Sequence, residues 1–264
     1  MKISFSKYQG TGNDFVMIDN RHLVLSKNDT NLIRHMCDRR FGIGADGLIL
    51  LEKADHKEED FKMIYFNADG KQSSMCGNGG RCIVAFAADL GIIGKEAVFS
   101  AIDGEHESVI EHELIGLRMK DVREVNKLEQ AVFLDTGSPH HVIFTGDVGQ
   151  TDVLREGKAI RQSPEYRDIG GTNVNFVQEL DRATFRVRTF ERGVEDETLS
   201  CGTGVTAVAI AAHYTGRTQD NTVHLETPGG NLAVTFECNG QTYENIWLTG
   251  PATMVFKGEI EWKP

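Results

Sequence analysis

Cys76-Gly77-Asn78-Gly79-Gly80-Arg81-Cys82-Ile83-Val84-Ala85-Phe86-Ala87-Ala88 decides the architecture, because its pattern returns 125 residues later. The second occurrence reads Cys201-Gly202-Thr203-Gly204-Val205-Thr206-Ala207-Val208-Ala209-Ile210-Ala211-Ala212. Sliding the chain on itself by that offset also aligns Gly91 with Gly216, Val98 with Val223 and Gly104 with Gly229, without a gap. One long-range duplication points to two similar lobes rather than a short-period solenoid. In each copy the order is a strand ending near Asn67 or Glu191, a loop, Cys-Gly-x-Gly, a helix, a glycine and another strand. Gly91 and Gly216 stand where a helix wants a left-handed residue just past its end. Both helices are apolar nearly all round, so each is expected to be buried on every side.

Working outward, the rest of the chain reads as strands. Gly is abundant at 28 of 264 and Pro scarce at 5, which suits a sheet-rich fold. Phe61-Lys62-Met63-Ile64-Tyr65, Phe185-Arg186-Val187-Arg188 and Leu232 to Phe236 alternate with the period of two that a half-buried strand requires. Two further helices are expected, near Thr30–Arg39 and Asp152–Arg161. The fold class that follows is α+β, with two pseudo-symmetric lobes. Each is a barrel-like antiparallel sheet wrapped around one central helix, and the site lies in the cleft between them.

Charge and composition exclude several classes. With 28 Lys and Arg against 39 Asp and Glu the net charge is −11, opposite to the basic face that nucleic-acid binding demands. No apolar run approaches the roughly 18 residues of a membrane span, and the first residues lack the apolar core of a signal peptide. Five cysteines, an odd number, without export signals imply reduced thiols in the cytoplasm.

Cys76 and Cys201 carry the chemistry. Each stands where a loop enters a helix, beside the unpaired N–H groups and partial positive charge of its N-terminus. That environment binds a carboxylate and lowers a thiol's pKa. A single cysteine so placed is more often a small buried hydrophobe; two at matching positions of a duplication favour a functional pair. A zinc site wants closer ligand spacing than Cys76 and Cys82 offer. A Cys/His nucleophile using His140 or His141 leaves the second cysteine unexplained, and a redox pair normally comes as a local CxxC. Proton transfer by two bases, one thiolate removing a proton and one thiol delivering another, uses both cysteines alike.

Seven segments in order also resemble the diaminopimelate epimerase family along nearly the whole chain. They are Phe5-Ser6-Lys7-Tyr8-Gln9-Gly10-Thr11-Gly12-Asn13-Asp14-Phe15, Asp38-Arg39-Arg40-Phe41-Gly42-Ile43-Gly44-Ala45-Asp46-Gly47, Phe66-Asn67-Ala68-Asp69-Gly70, the two cysteine signatures, Gly137-Ser138-Pro139-His140 and Glu191-Arg192-Gly193. The resemblance implies a cofactor-free, metal-free cytoplasmic epimerase that interconverts LL- and meso-2,6-diaminopimelate for lysine and peptidoglycan synthesis. It implies a homodimer, a small amino-acid substrate, and neither nucleic acid nor membrane as partner. Cys76 and Cys201 become the acid/base residues, with His140 and Glu191 tuning them. Asn13, Asn67, Gly77, Asn78, Asn173, Glu191, Arg192, Gly202 and Thr203 become substrate contacts, with Gly47 and Ser138 as further candidates.

The family often carries Gln at Gly47 and Asn at Ser138, and the loop from Val194 to Ser200 is one position longer here; all three departures bear on substrate choice. Residues 1–118 are expected to form the first lobe and 119–251 the second, and the resemblance implies that the strand within 252–264 completes the first. Two other readings stay open: a related racemase acting on histidine or a proline-like amino acid, distinguished by turnover on each substrate, and a non-catalytic amino-acid binding protein, which would show no α-proton exchange in heavy water.

Overall fold

The computed structural model describes residues 2–73 and 75–262. Its contacts divide the chain into two compact units, one running through Leu117 and taking up the stretch from Pro251 onward, the other Arg118–Gly250.

The first unit contains β1 (Lys2–Gly10), β2 (Asn13–Asp19), α1 (Thr30–Cys37), β3 (Gly47–Glu52), β4 (Phe61–Asn67), β5 (Gln72–Ser73), α2 (Gly77–Asp89), β6 (Glu96–Ala101), β7 (Gly104–Glu111) and β8 (Leu114–Arg118). The second contains β9 (Val125–Lys127), β10 (Val132–Asp135), β11 (Pro139–Thr145), α3 (Val153–Arg161), β12 (Asn173–Glu179), β13 (Thr184–Glu191), β14 (Asp196–Thr198), α4 (Gly202–Tyr214), β15 (Thr222–Thr227), β16 (Gly230–Asn239) and β17 (Thr242–Pro251). The last strand, β18 (Thr253–Glu261), belongs to the first unit.

Among the described residues the first unit pairs its strands in the order β18-β1-β2-β3-β4-β6-β7-β8, with β5 hairpinned onto β4. The second repeats the plan as β9-β10-β11-β12-β13-β15-β16-β17, with β14 hairpinned onto β13. The outer neighbour of β10 is thus supplied locally by β9, whereas β1 receives its partner from the far end of the chain.

The sheets are largely antiparallel, with four parallel pairs among the described residues. Pairs β2/β3, β4/β6, β11/β12 and β13/β15 are parallel. Each is joined through a helix (α1, α2, α3 or α4), because returning a strand to the same end of a sheet needs a crossover. A further feature follows from the same geometry. Each sheet carries an outer helix as well as the central one, so part of it is covered on both faces. In β3, Ile49 and Leu51 pack with the α2 cluster, while Leu48 and Leu50 pack with Leu32, Ile33 and Met36 of α1. The period of two sends alternate side chains to opposite faces, and every residue of β3 is buried. Complete burial of each such leucine stabilises the fold by roughly 1.5–3 kcal/mol. In the second unit α4 fills the inner core with Val205, Val208 and Ile210, and α3 covers the other face through Val153, beside Val174, Phe176 and Phe190.

The helix stops obey the sequence. Past the ends of α2 and α4, Gly91 and Gly216 have φ of 68° and 73°, a conformation glycine adopts without a Cβ penalty.

Candidate functional site

In the first unit Cys76 is the residue immediately before α2. Its backbone is extended (φ −100°, ψ 134°) and its side chain makes no capping bond, so the thiol is not spent on the helix. The carbonyl of Cys76 accepts the first helical bond, from Gly80 N at 2.7 Å. The N–H groups of Gly77 and Asn78 have no carbonyl ahead of them in the helix. The Cys76 thiol donates to Asn13 Oδ1 at 3.6 Å, and Asn13 is itself held by Asp46 at 2.6 Å. Behind them Lys7, Arg39, Asp14 and Asp46 form an ion network, with Lys7–Asp14 at 2.8 Å and Arg39–Asp46 at 2.6 Å. These bonds hold the Asp14 carboxyl well below its usual range against the opposing effect of burial.

The other residues expected here fare differently. Asn67 ends β4, exposed, opposite Gly47. Asn78 is buried, and its side chain turns inward to accept from Thr11 Oγ1 at 3.2 Å and Arg81 Nη2 at 2.9 Å, leaving its N–H as the candidate contact. At Gly47 a Cβ would lie 2.5 Å from Tyr65 Cε2 and 2.6 Å from the Phe66 carbonyl. The Tyr65 ring therefore occupies the room that a glutamine at position 47 would need.

In the second unit Cys201 precedes α4 in the same way (φ −122°, ψ 113°), again without a capping bond from its side chain. Its sulfur lies 3.5 Å from Thr203 Oγ1, and Thr203 Oγ1 lies 2.9 Å from His140 Nε2. The far nitrogen of that ring, Nδ1, accepts from Asn175 Nδ2 at 3.1 Å. The same amide donates to the His141 carbonyl at 3.3 Å and takes a bond from Thr189 Oγ1 at 3.0 Å. That network fixes the amide orientation, so Nε2 carries the ring proton and donates to Thr203. Full burial, reinforced by the Arg192 charge, pushes His140 down to about 3; the imidazole is neutral. A Cβ on Gly204 would meet Asn175 Oδ1 at 2.6 Å and Cys201 Sγ at 3.4 Å. That close approach explains the second glycine of the motif.

Asn173 is held in place: its amide donates to Ser138 Oγ at 2.8 Å and the Pro139 carbonyl at 3.0 Å, and its oxygen accepts from Arg192 N at 2.9 Å. Ser138, Pro139 and the Glu191–Arg192 corner are thereby tied together. Burial pushes the Glu191 carboxyl up, opposed by a bond from Thr198 Oγ1 at 2.9 Å. The Arg192 guanidinium rests on the carbonyls of Ile169 and Gly171. Sequence reasoning missed Asn175 and Thr189. The available signal was a polar side chain inside the apolar run Val174-Asn175-Phe176-Val177, where only an internal partner permits burial.

The remaining thiols are structural or remote. Burial pushes Cys37 up to about 12 and Cys82 higher still. Among the described residues no cluster of three or more His, Cys, Asp or Glu is arranged to hold a metal, and no helix is long and apolar enough to cross a membrane.

Residues 5–117 and 132–255 match the family model for diaminopimelate epimerase. The chain is 54% identical over 255 residues to the diaminopimelate epimerase of Flavobacterium psychrophilum, covering 96% of this chain and 98% of that one. It is 40% identical to that of Aquifex aeolicus, covering 98% of each. Among solved structures it is similar in fold to a Bacillus anthracis phenazine biosynthesis protein, with TM-score 0.78 at 12% identity over 99% and 100% of the two chains. It also resembles a hydroxyproline epimerase from Agrobacterium vitis, with TM-score 0.69 at 15% identity over 98% and 92%.

Proposed function

The chain belongs to the diaminopimelate epimerase family, and on that premise we propose how its residues carry out the reaction. The protein is an isomerase that interconverts LL- and meso-2,6-diaminopimelate in lysine biosynthesis. In the proposed cycle one cysteine, as thiolate, takes the α-proton. The electron pair left on carbon spreads into the adjacent carboxylate, and the other cysteine, as thiol, returns a proton to the opposite face. One sulfur gains the proton the substrate loses and the other supplies the proton it regains, so nothing is consumed.

The observation that carries this reading is the pair of cysteines, one per unit, each placed before a helix and free of any capping duty. An α-proton of an amino acid is hard to remove because the resulting charge is poorly stabilised. N–H groups of Gly77 and Asn78, and of Gly202 and Thr203, would hold the reacting carboxylate and oppose that charge as it develops. Asn13, Asn67, Asn173, Glu191 and Arg192, with Ser138, would meet the rest of the substrate; the guanidinium offers a two-pronged carboxylate clamp. At Gly47 the phenol of Tyr65 takes the place of a longer side chain. His140, being neutral, would act on Cys201 through Thr203 rather than as a charge. The thiols should titrate as a coupled pair.

The test is Cys76→Ala and Cys201→Ala, assayed with LL-diaminopimelate in deuterated water. Each variant is expected to abolish epimerisation while binding of the substrate persists. Near-wild-type turnover in either would overturn the two-base scheme.

Two further proposals concern setting. The five cysteines, outside any disulfide, suit a reducing cytoplasm. We also propose a homodimer that covers β18, an edge strand paired among the described residues with β1, whose Met254, Val255 and Phe256 are exposed; an apolar edge left open invites pairing with another chain. Sedimentation should read a dimer, and Val255→Glu a monomer.

A further inference from the structure

Taking Cys76 as a member of the acid/base pair proposed above, we infer that Asp103, seated on His106, is the positioning residue that fixes Cys76 where the chain enters α2. Neither residue belongs to the cysteine signature. Asp103 lies in the turn between β6 and β7, just ahead of Gly104. An Asp-Gly pair is ordinary turn chemistry for a hairpin, but this carboxylate reaches beyond its own turn. Its Oδ1 accepts from Met75 N at 3.2 Å. Met75 directly precedes Cys76, and its N–H stands outside the helical ladder of α2.

His106, on β7, supports the carboxylate. Its Nε2 lies 3.5 Å from the same Oδ1. That nitrogen is buried and makes no closer hydrogen bond among the described residues, and a buried polar atom is costly to leave unanswered. The carboxylate is the group that answers it. The imidazole is held in turn by the core: it lies against Phe99 with centroids 5.3 Å apart, and Phe99 stacks on Phe61 at 5.0 Å. Both phenylalanines are wholly buried. Burial raises the Asp103 carboxyl, but the contacts with His106 and Met75 N outweigh it and hold the group below its usual range. Asp103 is thus a charged acceptor, and hydrogen bonds to a charged acceptor are the stronger kind.

On its helix side Cys76 is held by its carbonyl, which accepts from Gly80 N at 2.7 Å. The side chain of Met75 closes over the same turn: a Cβ on Gly80 would lie 2.9 Å from Met75 Sδ. Asp103 fixes the incoming backbone. With Met75 pinned at its N–H and packed at its sulfur, the direction in which the extended Cys76 backbone (φ −100°, ψ 134°) presents its thiol is set.

The second unit docks the corresponding hairpin on the corresponding loop by another means. At the 125-residue offset Asp103 and His106 match Pro228 and Asn231. There the turn between β15 and β16 donates from its backbone, Gly229 N to the Leu199 carbonyl at 2.8 Å, shortly ahead of Cys201. Each cysteine loop is therefore clamped by the hairpin that follows its helix. The clamp of the first unit rests on two side chains, which substitution removes without touching the backbone.

The test uses the full chain. In Asp103→Ala, amide hydrogen exchange at Met75, read by NMR without substrate, should be several-fold faster than in wild type. Its kcat should fall about ten- to a hundred-fold, because displacing a reacting group by about 1 Å can cost about a hundredfold. KM should change by less than about threefold, since the substrate contacts remain. Asp103→Asn keeps an acceptor oxygen over Met75 and should retain most of both properties. His106→Phe keeps a ring against Phe99 and deletes the nitrogen; it should move exchange and kcat in the same direction, and His106→Gln should restore them. If Asp103→Ala does not fold, the His106 pair carries the same test. A merely structural turn residue would lower the melting temperature and leave kcat intact well below it. Unchanged exchange at Met75, wild-type kcat despite faster exchange, or an asparagine variant as poor as alanine would each overturn the inference. Normal turnover in Cys76→Ala would instead mark the failure of the two-base scheme, whereas an inactive Cys76→Ala beside a fully active Asp103→Ala would sink the clamp alone.

Discussion

Thr203→Val isolates the contribution of one hydroxyl to one sulfur. The substitution keeps the shape of the side chain and the backbone N–H at the start of α4, and removes only the oxygen between His140 Nε2 (2.9 Å) and Cys201 Sγ (3.5 Å). Because His140 is neutral and donates through Nε2, the threonine proton is free to point at the sulfur when Cys201 is a thiolate. A hydrogen bond to a charged group contributes about 1.5–3 kcal/mol, and each ~1.36 kcal/mol is a decade in rate. The expected loss in kcat/KM is therefore roughly ten- to a hundred-fold. It should be equal from LL- and from meso-diaminopimelate, since the enzyme cannot alter the equilibrium between them.

The same change strands a buried His140 N–H, which costs about 1–3 kcal/mol of stability and lowers the melting temperature by about 2–4 °C per kcal/mol. Deuterium incorporation at the α-carbon, with thermal melting alongside, measures both effects. Thr203→Ser keeps the hydroxyl and should retain most activity. A valine variant within about threefold of wild type, or a serine variant as poor as valine, would refute the relay.

Gly47→Ala should destabilise the first unit by about 1–3 kcal/mol, typical of overpacking, because its Cβ would sit 2.5 Å from the Tyr65 ring; an unchanged melting temperature would show that the ring yields freely. Gly204→Ala should cut turnover as well as stability, since its Cβ would fall 2.6 Å from the Asn175 oxygen that orders the His140 network; normal turnover would mean the network is not needed. Acidification should weaken the fold before its carboxylates are involved. Burial lowers His140 to about 3 and His141 to about 4, so between about pH 6.5 and 4 the unfolded chain binds protons the folded one refuses, and stability falls with pH. Glu191, its carboxyl raised by burial, works the other way with one proton against two. Urea midpoints at pH 7.5, 6.5 and 5.5 should decline, and a flat series would contradict the buried, neutral histidines.

Much of the fold was legible because its decisive features are local. The Cys-Gly-x-Gly starts, the apolar faces of α2 and α4, and the glycines that stop them are short-range demands that sequence states directly. Strands ending at Asn67 and Glu191 were visible for the same reason. The parallel pairs were not, since alternation reveals a strand but not the direction of its neighbour. Nor was the outer helix: the pattern from Thr30 to Arg39 announced an amphipathic segment without saying which sheet face would take it.

The candidate site divides along the same line. The cysteines and the glycines beside them stand out in any reading of the chain. The partners of His140 lie on β12 and α4, dozens of residues away, and Arg81 sits within a signature whose glycines and cysteines draw the eye. Its burial exists only in three dimensions.

The pairing of the first strand with the last carries a consequence for how the protein comes to be. Lys2 lies opposite Glu261 and Gln9 opposite Thr253, so on the ribosome β1 emerges with one edge open and keeps it open until β18 has been made. The second unit is contiguous, and with β9 beside β10 it holds all its own strands; it can close while the first is still waiting. Pairings so distant in sequence carry a heavy loop-closure entropy and slow folding. The order of assembly is thus expected to run against the order of synthesis, with the half that begins the chain the last to be finished.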